Sequence, residues 1–312
     1  MKDMKVHIFE FLAHCKFEKN LNAKTLKAYK IDLKQFHDFL QYQLDKNPSI
    51  SEITKEEIKA YIAHLVKKYE IKSVKRKLAS AKAFFSHLEF EDKIAINPFR
   101  KVRIQLKEPF RLPIVLEMAE IRRLFKVVYK EKRSIKSKTS FRYQTLIRDI
   151  AVLELLFATG IRVGELCGLR SNRINLHEGF IKVDGKGNKE RVIQLCNKEL
   201  LKALKEYRQL SSPKLTVYFF HNRLNKPLST QSVRFMIRKY VAKANITKTV
   251  TPHCFRHTFA TMLLEEGVDI KYIQRILGHS SILTTQIYTH VSNQKQREIL
   301  ASKHPRNRLV LG

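Results

Sequence analysis

Residues 277–288 read Leu277-Gly278-His279-Ser280-Ser281-Ile282-Leu283-Thr284-Thr285-Gln286-Ile287-Tyr288. A glycine and several hydroxyl residues break the chain here between two apolar-periodic segments. The break carries a histidine and a tyrosine nine residues apart. A tyrosine on a short helix is ordinarily a half-buried packing residue. It becomes a candidate nucleophile only if other parts of the chain supply cations that can surround a phosphate beside its hydroxyl.

Composition favours such a search. The chain has 312 residues, enough for two domains, and 44% of them are apolar, enough for ordinary cores. Lys and Arg number 61 against 29 Asp and Glu, a formal net charge of +32. That excess favours a long polyanion as partner, nucleic acid above all. Residues 1–110 hold 23 Lys and Arg against 14 acids, and residues 111–312 hold 38 against 15, so both halves are basic and the second more so. Cys15, Cys167, Cys196 and Cys254 lie far apart without a CxxC pair. Neither a zinc site nor a disulfide framework is expected, and free thiols fit a reducing cytosol. Glu10 and His14 interrupt the first apolar run, so no signal peptide is read there. No apolar run approaches the length of a membrane span.

Periodicity gives a mainly α chain with a small β-sheet. Residues 1–99 read as four helices. The second is capped by Thr25, the third opens on the Thr54/Glu57 capping-box pattern, and the fourth runs from Ser73. Lys75, Arg76 and Lys77 near the start of that fourth helix are candidate phosphate contacts or simply a solvated face. Asn97-Pro98 ends the helical region. The basic stretch that follows, with Lys101 and Arg103, reads as a linker able to lie along DNA. The expected organisation is a helical domain over 1–105, a linker over 106–112 and a second domain over 113–312. In the second domain, Glu117 to Lys130 is amphipathic, and Lys130 to Ser140 reads as a polar loop with five cations. Leu146 to Ala158 reads as an apolar helix stopped by Gly160. Two alternating strands, Phe180–Val183 and Arg191–Leu195, flank the turn-rich stretch 184–189 as a hairpin. Further helices are expected at about 197–209, 229–244, 254–267 and 270–277.

Four pieces of this second domain offer chemistry. Arg162 opens a short helix with Glu165 one turn later, and Lys186 sits between two glycines of the hairpin turn. His253 and Arg256 are three apart on one helix face, entered through Thr251-Pro252. The fourth is His279, nine before Tyr288. Each is weak alone: helix-start arginines usually pair with carboxylates, and hairpin lysines are usually solvated. His257 would point about 100° away from Arg256 on a helix and reads as structural.

Taken together, ATGIRVGEL (158–166), GKGNKERV (185–192), HCFRHTFAT (253–261) and LGHSSILTTQIYTH (277–290) resemble the tyrosine recombinase (phage integrase) family, nearest its Xer-type bacterial enzymes. The pieces come in the family's order and the likeness covers nearly the whole chain. It implies a four-helix, SAM-like core-binding domain and a catalytic domain that close as a C-shaped clamp on DNA. It implies Tyr288 as the nucleophile on a DNA phosphodiester, with Arg162 and Arg256 on the non-bridging oxygens and His279 also bonded to the phosphate. Lys186 would protonate the leaving 5′-hydroxyl, His253 would assist proton transfer at the tyrosine, and Glu165 would orient the cluster through His253. Charge builds on equatorial oxygens in phosphoryl transfer, so positioned cations suffice and no metal or other cofactor is called for.

The expected activity is site-specific recombination through a 3′-phosphotyrosyl intermediate and a Holliday junction. It would serve chromosome dimer resolution or a mobile element. The expected partners are double-stranded DNA with an inverted-repeat core site, a homotetramer or a heterotetramer with a related recombinase, and an accessory protein. The location would be cytoplasmic and nucleoid-associated. A type IB topoisomerase shares the Tyr, Arg and Lys chemistry but needs no residue at the His253 position. A non-catalytic DNA-binding protein would be favoured by a missing nucleophile or arginine, and none is missing.

Overall fold

The computed structural model describes residues 3–108, 112–184, 190–211 and 217–278. Lys186, His279 and Tyr288 lie outside these residues, as does the tail beyond them. The chain divides into two compact units, Met1–Phe110 and Arg111–Gly312.

The first unit is built from α1 (Met4–Phe17), α2 (Ala23–Leu44), α3 (Lys55–Lys68) and α4 (Ile71–Phe90). Side chains three and four apart fall on one helix face, so Leu33, Phe36 and Leu40 of α2 meet Val74, Leu78, Ala81, Phe85 and Leu88 of α4 in one core. Phe36, Phe84, Phe85, Tyr61 and Phe11 fill its centre, with edge-to-face pairs such as Phe84–Phe85 at 5.4 Å. Truncating one of these rings to alanine costs about 3–5 kcal/mol. The Thr54/Glu57 capping box is formed, Glu57 accepting the Thr54 N–H at 2.8 Å. The cap of α2 is Asn22 rather than Thr25: its side-chain oxygen accepts from Lys24 and Thr25 N–H, which places Thr25 inside the first turn. Asn97 likewise caps a 3₁₀ turn, Pro98–Lys101, whose Phe99 is buried in the same core.

The second unit is organised on α6 (Phe141–Thr159). From Ile150 to Leu156 it is buried on every side, because α5 (Met118–Ser134), α8 (Lys198–Ser211), α9 (Thr230–Lys243) and α10 (Pro252–Glu265) all pack against it. The segment Lys130 to Ser134, expected in a loop, is the last part of α5. Two of its charges are paired across the unit: Glu131 takes Lys243 at 2.7 Å and Lys132 takes Glu206 at 2.6 Å. Only residues 135–140 remain as a connection before α6.

α6 ends at Gly160, which adopts the left-handed conformation, φ 59°. The short helix α7 (Val163–Cys167) follows. An antiparallel sheet comes next, β1 (Ile174–Asn175), β2 (Phe180–Asp184) and β3 (Glu190–Gln194), in the order β1-β2-β3. β2 and β3 pair from Phe180↔Gln194 to Asp184↔Glu190, so the ends of the two strands flank residues 185–189. α11 (Ile270–Leu277) is the last described helix and closes on Gly278, φ 66°.

Candidate active site

Left-handed Gly160 ends α6, and Arg162 follows as the N-cap of α7 in extended backbone. Glu165, at the third position of α7, reaches back to the Arg162 N–H at 3.0 Å, satisfying one of the amides a helix start leaves open. The same carboxylate accepts Arg162 Nη1 at 2.9 Å. Across from it, Arg191 of β3 donates Nη1 at 2.7 Å to one carboxylate oxygen and Nη2 at 2.9 Å to the other. Burial raises the Glu165 carboxyl, but the bonds from Arg191 and Arg162 outweigh it and hold it below the usual carboxylate range. Glu165 is therefore an anion at neutral pH and anchors two arginines.

α10 begins at Thr251, with Pro252 at its first position, as the sequence predicts. One turn in, Arg256 is buried, only 4% exposed, while His253 on the preceding turn is exposed. Arg256 donates Nη1 to the Gly160 carbonyl at 2.8 Å and Nη2 to the Leu277 carbonyl at 2.7 Å. These are carbonyls at the C-terminal ends of α6 and α11, where the helix dipole favours a cation. Arg162 donates Nη2 to the adjacent Gly278 carbonyl at 2.8 Å. Two guanidiniums 94 residues apart in sequence thus meet at neighbouring carbonyls of one turn. A guanidinium carries five donors, enough to hold carbonyls and a phosphate together. His257 is half-buried, and burial first, then the charges of His253 and Arg256, push it down to about 4. It is neutral at physiological pH.

Of the sequence candidates, Arg162, Glu165 and Arg256 come together here, with His253 on the same helix as Arg256. Lys186 falls between the described ends of β2 and β3, and His279 follows directly on Gly278 in sequence. The resemblance points Glu165 toward His253; the described bonds of Glu165 run to Arg162 and Arg191. Arg191 stands in the quoted GKGNKERV stretch, but the resemblance gives it no role. β3 alternates, and Arg191 shares the inward side with Ile193 while Val192 faces out. An arginine on the inward side of a strand calls for a buried carboxylate, and the alternation of β3 carries that signal in the sequence. Beside Glu165 a groove is lined by Arg170, Arg173 and Lys182 together with the acids Asp184 and Glu190, the last bonded to Arg173. Among the described residues, no group of three or more His, Cys, Asp or Glu side chains could hold a metal ion.

In the first unit, Lys75 and Arg76 are about half exposed, Lys75 lying 3.7 Å from Glu108 and Arg76 bonded to Asp32. Lys77 is different. It is 4% exposed, and its ammonium is taken by Asp32 and Gln35, so it does not present its charge to solvent. Its helix position, between Val74 and Ala81 on the buried face of α4, is the reason. Lys101 and Arg103 are exposed.

Comparisons with known proteins bear on the family and the fold. A family model described as phage integrase family matches residues 115–295, and one described as phage integrase, N-terminal SAM-like domain, matches residues 8–92. A protein of Agathobacter rectalis named tyrosine recombinase is 45% identical over 311 residues, covering 98% of each chain. Tyrosine recombinase XerC of Leptospira interrogans is 38% identical over 310 residues, covering 96% of this chain and 93% of its own. Among solved structures, the XerH site-specific recombinase bound to palindromic difH substrate in a post-cleavage complex aligns with a TM-score of 0.71 at 22% identity. That alignment covers 95% of this chain and 84% of the other, a likeness of fold.

Proposed function

The chain belongs to the phage integrase family, whose curated relatives are tyrosine recombinases, and from that footing we propose how its residues cut and rejoin DNA at a specific site. The observation that carries the reading is the meeting of Arg162 and Arg256 at the Leu277–Gly278 carbonyls, immediately before the segment that holds His279 and Tyr288. Two fixed positive charges beside a turn are what a scissile phosphate requires.

Tyr288 attacks the phosphorus. A Tyr288 oxygen–phosphorus bond forms at the 3′ side and the bond to the 5′ oxygen breaks. Arg162 and Arg256 offset the charge on the non-bridging oxygens, and His279 bonds one of them. The tyrosine hydroxyl has an ordinary pKa of about 10, so it loses its proton only as the phosphate is approached, toward His253. Lys186 gives a proton to the departing 5′ oxygen. The phosphotyrosyl bond keeps the energy of the phosphodiester, so a 5′-hydroxyl from a second duplex attacks it and releases Tyr288. Four strands and one tyrosine per protomer lead to four protomers on two sites, all of this chain or shared with a related recombinase. The net charge of +32 supplies attraction to the DNA backbone that weakens steeply with salt.

The test is a DNA duplex nicked near the cleavage point, incubated with the protein in EDTA. A covalent protein–DNA adduct is expected with wild type and absent with Tyr288→Phe; an adduct that survives the substitution rules out Tyr288 as the nucleophile. Strand exchange between two sites, set against relaxation of a plasmid without one, separates recombination from topoisomerase activity. Repeating the exchange with chromosomal and mobile-element sites separates dimer resolution from integration.

A further inference from the structure

We propose that Arg191 is a positioning residue for DNA cleavage: by clamping both oxygens of Glu165 and lying against Gly278, it holds Arg162 in the orientation that meets a phosphate oxygen. The proposal rests on the reading of Arg162 as a phosphate ligand given above.

The contacts form a closed loop. Arg191 holds Glu165 through two bonds, 2.7 and 2.9 Å. Glu165 holds both the backbone N–H and the Nη1 of Arg162. Arg162 holds the Gly278 carbonyl through Nη2. The stem of Arg191 then passes directly over Gly278: a Cβ built there would stand 2.8 Å from Arg191 Cδ and 3.0 Å from its Nε. Three segments distant in sequence, the start of α7, the returning strand of the hairpin and the turn after α11, are tied in one circuit.

The geometry is specific to arginine. The side chains of Arg191 and Glu165 are only 14% and 10% exposed, so the pair is shielded from water and its two parallel bonds fix direction as well as distance. A lysine at 191 keeps the charge but meets a carboxylate as a single point. Without the clamp, Glu165 keeps only its bonds to Arg162, so nothing across from α7 fixes the carboxylate, and the orientation it gives Arg162 Nη1 loosens while Nη2 keeps the Gly278 carbonyl. Arg191 has no need to touch DNA to act in this way. Its place on β3, paired with Val183 of β2, also ties the two-strand ladder to the same circuit.

The test uses the full chain with Arg191→Ala and Arg191→Lys beside wild type, Arg162→Ala and Tyr288→Phe. DNA binding is measured by titration, and single-turnover adduct formation on the nicked duplex is measured at saturating DNA. A second duplex carries a methyl group in place of one non-bridging oxygen at the scissile phosphate, which removes the charge an arginine neutralises. Both Arg191 variants are expected to bind as wild type and to cleave about 100-fold more slowly, the scale of a misplaced catalytic group. The methyl-substituted phosphate should shrink that deficit, as it should for Arg162→Ala. A wild-type rate in Arg191→Lys overturns the proposal. So does an equal deficit on both duplexes, since a merely structural loss does not depend on phosphate charge. If Arg191→Ala does not fold, as judged by far-ultraviolet circular dichroism, the lysine variant decides. A failure of the underlying reading shows instead in the controls, as an adduct with Tyr288→Phe or an unimpaired Arg162→Ala.

Discussion

Asp32 in the first unit gives the sharpest stability prediction. Its carboxylate is fully buried and is held by Lys77 Nζ at 3.3 Å, Ser80 Oγ at 2.9 Å and the Arg76 guanidinium. Lys77 is itself 4% exposed, with the Tyr69 ring 4.7 Å from its ammonium. Asp32→Ala removes the counter-charge and strands that ammonium inside the unit, so the expected cost is about 3–5 kcal/mol. Lys77→Met keeps the packed stem and leaves Asp32 with two donors, so it should cost less. In the double variant no buried charge is left unpaired, and its loss should fall well below that of Asp32→Ala alone. Arg76→Ala removes a half-exposed partner and should cost no more than about 1 kcal/mol. The chain contains no tryptophan, so urea unfolding is followed by far-ultraviolet circular dichroism. Amide exchange in α2 and α4 assigns the loss to this unit. A loss under 1 kcal/mol for Asp32→Ala, or strict additivity in the double variant, refutes the reasoning.

Three further outcomes are expected. Gly160→Ala meets both a left-handed backbone and a Cβ contact of 2.8 Å to Phe259 Cδ1. It should lower unfolding free energy by about 2–4 kcal/mol in a denaturant titration, where an unchanged midpoint would contradict the packing described. Glu165, held below its usual 4.5, contributes stability that is present above that value and is lost as pH falls through it toward the lower folded value. Unfolding free energy followed from pH 6 to pH 3 should therefore decline less in Glu165→Gln than in wild type; parallel curves would count against the clamp. His257, pushed down to about 4, is neutral across the working range. His257→Asn should keep the shape of the cleavage-rate profile between pH 5.5 and 8, whereas His253→Gln should alter it, and the opposite pattern would reverse the two roles.

How much of this is visible in the sequence depends on whether a signal is local. The helices of the first unit follow from apolar spacing, and Thr54/Glu57 and Pro252 mark their helix starts because capping is decided within four residues. Asn22 and Thr25 are both good caps by type, and only the bonds to Lys24 and Thr25 N–H decide between them. The charged run after Lys130 looks like a loop until Glu206 and Lys243, supplied by α8 and α9, pair with it and allow the helix to continue. Lys75-Arg76-Lys77 reads as one basic patch, yet helical geometry turns Lys77 inward while its neighbours stay partly exposed. Arg162, Glu165 and Arg256 are legible through their motifs. Arg191 stands within the GKGNKERV stretch, where Lys186 takes the attention, and its link to Glu165 appears only when β3 is laid beside α7.

The double attachment of Arg256 bears on how an inactive form should be made. Its guanidinium fastens the ends of α6 and α11 to each other through the Gly160 and Leu277 carbonyls. Deleting it removes a fastener along with a charge, so a protein lacking this arginine differs from wild type in how the turn before Tyr288 is held. For trapping an uncut complex with DNA, substitution of the tyrosine is the cleaner choice, because it leaves every one of those fastenings in place.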